Sequence, residues 1–166
     1  MRNSVLVLIF SIINLVLIAQ REDVSDLRNE VKQAKEALKA ELKGLSYDGA
    51  KTTYYEVKRS PDYKEVEVIL FLRDEYTLMF SGEASPGRVS LRIYDKPSHD
   101  PNRTVLFEAR NISGKQEVVT EAELNERLSF YNPEADALRS VFVEYEVARG
   151  RNPERGAIVM ILGYKN

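Results

Sequence analysis

Residues 4–19 form an apolar run interrupted only by Ser4, Ser11 and Asn14, and no Gly or Pro breaks the chain from 4 to 43. From residue 24 the apolar positions become periodic: Val24, Leu27, Val31, Ala34, Leu38, Leu42 and Leu45 recur at spacings of three and four. That is one stripe on a helix, and Gly44 is placed to end it. Beyond Gly44 the period changes to two. "VSLRIY" sets Val89, Leu91 and Ile93 against Ser90, Arg92 and Tyr94, and "VFVEYEV" sets Val141, Val143, Tyr145 and Val147 against Phe142, Glu144 and Glu146. "VEVILFL" and "AIVMIL" are continuous apolar runs, the pattern of strands buried on both faces.

The pattern predicts about nine short strands, near 52–58, 65–73, 76–81, 88–95, 104–110, 116–120, 127–131, 140–148 and 157–164. "TEAELNERL" reads as one added helical turn. Turn-forming stretches such as "DKPSHDPN", "NISGK" and "GRNPERG" separate the strands. The fold class expected is mainly β: an antiparallel β-sandwich, jelly-roll-like, preceded by a long N-terminal helix made of a membrane segment and a stalk. Three parts follow: a membrane anchor or signal peptide over 1–20, a helical stalk or short coiled coil over 21–45, and an extracytoplasmic β-sandwich over 46–166.

Charge orients the apolar start. Arg2 precedes it, and Arg21, Glu22 and Asp23 follow, so the positive-inside rule puts the start in the cytoplasm and the rest outside. A helix over 4–19 spans about 24 Å, short for a bilayer core of about 30 Å. A cleavable leader needs small residues before the cut; Ala19 supplies one, but Leu17 is bulky where the second belongs. The unbroken passage into the stalk favours a retained anchor contacting membrane lipid through residues 4–20. The alternative is a secreted protein with residues 1–19 removed.

The stalk stripe reads as heptads with Val24, Val31 and Leu38 at a and Leu27 and Ala34 at d. In a parallel homodimer Asp23 would meet Arg28 of the second copy, and Glu30 would meet Lys35, both pairs opposite in sign. The competing reading packs the same stripe on the chain's own β domain.

Composition removes several chemistries. There is no Cys, no Trp and one His, His99, so disulfides, thiol catalysis and cysteine zinc sites are excluded. A net charge of −2 with mixed signs gives no global drive toward nucleic acid. Ser98-His99-Asp100 imitates a triad, but adjacent residues do not converge into a proton relay. Asp95, Asp100 and Asn102, and separately Asn132, Glu134 and Asp136, offer oxygen ligands of the kind calcium takes; these residue types are also the ordinary formers of turns. Arg149, Arg151 and Arg155 in "ARGRNPERG" form a candidate anion contact. Asn102-Arg103-Thr104 and Asn111-Ile112-Ser113 match glycosylation acceptors.

No cofactor and no enzyme activity are expected. The function expected is a non-catalytic, membrane-anchored binding or structural component of an envelope assembly, with protein partners there. The alternative is a secreted or surface glycan-binding module, to which nine tyrosines would contribute.

Overall fold

The computed structural model describes residues 25–71 and 75–165. The anchor or leader expected over 1–20, together with Asp23 and Val24 of the stalk, lies outside these residues. Among the described residues no helix is long and apolar enough to cross a membrane.

Two four-stranded antiparallel sheets face each other. Sheet A contains β1 (Ser46–Glu56), β8 (Arg155–Lys165), β3 (Glu75–Ser81) and β6 (Gln116–Thr120), in the order β1-β8-β3-β6. Sheet B contains β2 (Asp62–Ile69), β7 (Ser140–Val147), β4 (Val89–Tyr94) and β5 (Val105–Ala109), in the order β2-β7-β4-β5. This is the strand order of a jelly roll. Alternation builds the core between the sheets. Leu78, Phe80, Ile158 and Met160 from sheet A meet Leu91, Ile93, Val141, Val143 and Tyr145 from sheet B, all essentially inaccessible.

The opposite side of sheet A is also apolar, which accounts for the unbroken run in β8. Met79, Ala157, Val159 and Ile161 point away from the main core and form a second one with helix α1, residues 25–40. Val31, Ala34, Leu38 and Leu42 are buried there, with Leu27 and Leu45 at the margins. Each aliphatic side chain removed from water contributes at most about 1.5–3 kcal/mol, so this seam is a substantial part of the fold. The helix gives way to a turn over 41–44, and Gly44 takes a φ of +87° that non-glycine side chains rarely adopt.

One correction to the sequence reading concerns strand count, and the stripe expected to pair two copies has a neighbour within the chain. The stripe assigned to a parallel dimer through Leu27, Val31, Ala34 and Leu38 is occupied by the chain's own sheet. A coiled coil on that stripe would require α1 to leave sheet A. Arg28 and Glu30 are exposed and Lys35 is half-exposed on this docked helix, and none has an ion-pair partner among the described residues. The strand expected at 127–131 is instead the end of helix α2 (Glu121–Tyr131), three turns rather than one. Thr120 caps it: its hydroxyl accepts from the Glu123 N–H, while the Glu123 carboxylate accepts from the Thr120 N–H at 2.8 Å. That reciprocal box starts a helix, and Leu124 and Leu128, four apart, bury its inner side.

A second correction concerns β2. The run 66–71 is not buried on both faces. Val68 and Leu70 point inward, while Ile69 and Phe71 are each 61% exposed, because β2 is the edge strand of a sheet whose outer face carries no helix among the described residues.

Candidate functional site

The uncovered outer face of sheet B holds a compact polar lattice. Register places Arg92 of β4 directly between Glu144 of β7 and Glu108 of β5. Its guanidinium reaches Glu108 at 3.0 Å, Glu146 at 2.9 Å and Glu144 at 3.6 Å. On the other side of β7, Glu65 of β2 lies directly opposite Glu144, a like-charge pairing that is unfavourable by itself. Arg103, from the loop between β4 and β5, relieves it: Nη2 donates to Glu144 at 3.0 Å, and Nη1 lies 3.6 Å from Glu65. The Arg103 guanidinium stacks on the Tyr94 ring, 3.8 Å from its centroid, and the Tyr94 hydroxyl donates to Glu144 at 3.3 Å.

Two protonation states follow. Burial would lower the Arg92 pKa, but hydrogen bonds to Glu108 and Glu146 outweigh it and raise it, so Arg92 stays charged. Burial, then the charge of Glu144, raises the Tyr94 pKa and keeps its hydroxyl a donor. Glu108, Glu144 and Glu146 are each held by a guanidinium, and Ser98 donates to Glu65 at 3.2 Å. The lattice therefore offers a fixed array of polar edges rather than an activated nucleophile. Tyr63, 56% exposed, flanks it at one end of β2, and Ile69 and Phe71 flank the other.

Glu108 joins this face to a second feature. An open groove of about 550 Å³ runs between β5 and α2, lined by Val105, Phe107, Glu108, Glu123, Arg127 and Tyr131. At its outer side Phe130, 75% exposed, packs edge-to-face on Tyr131 with centroids 5.2 Å apart. Arg127 lies 4.9 Å over the Tyr131 ring and donates to the Tyr131 hydroxyl at 2.9 Å. The result is an exposed aromatic shelf held by a cation.

Of the residues singled out from sequence, Arg149 and Arg151 stay together while Arg155 is separated from them. Arg155 lines an acidic cleft with Asp26, Glu30, Glu56 and Glu154. Asp95 accepts from the Thr104 N–H and Asp100 from the Asn102 N–H, so both carboxylates close turns. Ser98 is turned to Glu65 and His99 is exposed. In the second glycosylation match, Ser113 donates to the Gly87 carbonyl and Ile112 is fully buried. Glu144, Arg92 and Arg103 were not singled out from sequence. For Arg92 and Glu144 the local signal was charge at outward positions of alternating strands, which any solvated strand shows, and Arg103 lies in a loop with no such pattern.

No family model matches the chain, and no curated protein matches it. Solved structures resemble it at low similarity. A Bacillus endospore appendage protein of disulfide-linked pili is 11% identical, covering 73% of this chain and 89% of its own, with a TM-score of 0.35. A carbohydrate-binding module of endoglucanase Cel5A from Eubacterium cellulosolvens is 10% identical over 70% of this chain and 98% of its own, at 0.36. The family 11 carbohydrate-binding module from Clostridium thermocellum is 14% identical over 70% and 84%, at 0.34. Likeness at this level says nothing of what this chain binds.

Proposed function

We propose that this chain is a non-catalytic binding module of an envelope assembly, anchored through residues 4–20, with its β-sandwich outside the cytoplasm and a protein partner on the outer face of sheet B. One observation carries the reading: the two sheets are used differently. The centre of sheet A, over β3 and β8, is covered by the chain's own helix, whereas sheet B exposes an ordered lattice of carboxylates, guanidinia and tyrosines. Internal ion pairing keeps those side chains in place before a partner arrives, which lowers the ordering cost of binding. The apolar ends at Tyr63, Ile69 and Phe71 supply area to bury.

Photo-crosslinking in native membranes tests it. A crosslinker at Tyr63 or Glu67 is expected to capture a defined envelope protein, and one at Lys32 on α1 to capture little. Capture from Lys32 alone, or from no position, rules out the sheet B reading. Intact mass tests the anchor separately, since a mature chain starting near Gln20 removes it.

A second reading rests on the shelf of Phe130, Tyr131 and Arg127. Exposed aromatic faces beside carboxylates suit the alternating apolar and hydroxyl surfaces of sugars, and this favours the glycan-binding alternative. Glycan-array binding that disappears in Phe130→Ala with Tyr131→Ala would select it.

A further inference from the structure

Arg59, in the β1–β2 loop, and Arg149 and Arg151, in the β7–β8 loop, line one open cleft of about 640 Å³ with Gly150, and among the described residues no carboxylate lines it. The two loops are held side by side: the Gly150 N–H donates to the Lys58 carbonyl at 2.9 Å, and the Val57 N–H donates to the Glu154 carbonyl at 2.8 Å. A Cβ on Gly150 would lie 2.4 Å from a Val57 methyl, so this close approach needs glycine. All three arginines are exposed, and none has an ion pair or hydrogen bond among the described residues. Arg92 and Arg103, by contrast, are ion-paired with glutamates. Three like charges brought to one cleft without acids repel one another, and a bound anion relieves that repulsion.

We propose that Arg59, Arg149 and Arg151 form an anion site for a phosphoryl group. Guanidinium forks match phosphate oxygens in bidentate geometry, and three of them exceed what a single carboxylate needs. A separate cleft at the β7–β8 loop is acidic, with Asp26 and Glu30 of α1 and Glu154 of the loop beside Arg155. This end of the sandwich is therefore polarised, and it takes an anion at one place rather than through a diffuse basic field.

The position supplies two sources for the group. Asp26 and Glu30 of α1 line one cleft with Pro153 and Glu154 of the same loop, so the chain enters the sandwich at this end. The few residues between Gln20 and α1 reach at most about 20 Å, which puts the cleft within reach of lipid headgroups if residues 4–20 are an anchor. A soluble phosphate ester is the other source. Only the lipid source rests on the anchored reading; the anion site does not.

The test uses the full chain in a nonionic detergent, titrated separately with inorganic phosphate, dihexanoyl phosphatidylglycerol and dihexanoyl phosphatidylcholine. Calorimetry and the arginine Nε–H resonances are the readouts. Phosphate and phosphatidylglycerol are expected to bind. Arg59→Gln, Arg149→Gln and Arg151→Gln should each weaken binding by about tenfold, with Arg155→Gln leaving it unchanged. Tighter binding of phosphatidylglycerol than of phosphate assigns the lipid source, and the reverse assigns a soluble one. Absence of binding by both at millimolar concentration overturns the site. So does binding that survives the triple variant or is lost equally in Arg155→Gln. A mature chain beginning near Gln20 would remove the anchor and leave the phosphate arm intact.

Discussion

Glu144 occupies an outward position of β7 yet is only 6% exposed, because Arg103, Arg92 and the Tyr94 hydroxyl close over it. Its worth lies in what it neutralises. Removing it leaves two guanidinia and a buried phenol short of their acceptor, and the penalty for stranding such groups exceeds the value of the bond. Glu144→Ala is expected to cost about 2 kcal/mol in chemical denaturation, and Glu144→Gln, which keeps an acceptor oxygen, about half of that. Equal stability of Glu144→Ala and wild type would mean the lattice is loosely held. None of this was legible in "VFVEYEV", where Glu144 and Glu146 look alike. Glu146 meets one guanidinium, whereas Glu144 meets two, and only strand order brings Arg103 over it.

At the scale of elements, α2 and α1 were legible to different depths. Thr120 and Glu123 spell a capping box, but the residues at 127–131, with Phe130 and Tyr131, also suit a strand, and only the structure shows Leu124 and Leu128 buried on one helix face. Thr120→Ala is expected to cost about 1 kcal/mol, seen in amide exchange of α2. The Glu123 pKa is lowered by its hydrogen bonds, first to the Thr120 backbone and then to the Thr120 hydroxyl. A depressed carboxylate contributes stability above its unfolded pKa, an ordinary 4.5, and loses it as pH falls through the folded value. Protection of α2 is therefore expected to fall on acidification below about pH 4.5, and Glu123→Gln to remove that dependence; parallel pH profiles would refute the link.

For α1 the stripe was plain, but its partner was not, since a helix face specifies apolarity and not what covers it. Leu38→Ala should cost about 3 kcal/mol and raise exchange throughout α1. Arg28→Glu with Lys35→Glu should leave the oligomeric state unchanged by sedimentation, since the seam is used within the chain. A drop in self-association would reveal a helix that leaves the sheet.

In the whole molecule, the N-terminal helix covers the centre of one sheet, and among the described residues no helix covers the other. Deleting residues 1–44 is expected to expose Met79, Val159 and Ile161, with dye binding and aggregation as the readout; a soluble monomer without dye binding would mean the seam is dispensable. Local patterning in the sequence determined most of the elements: alternation for the strands, the three-four stripe for α1, and turn residues between them. These depend on interactions within a few residues, so they can be read along the chain. Tertiary structure alone decided that the stripe seats on sheet A, that Arg59 joins Arg149 and Arg151 while Arg155 turns away, and that Glu144 is enclosed. The reason is physical: those neighbours are set by strand order and register, which bring together side chains tens of residues apart, and no local period records which of them will meet.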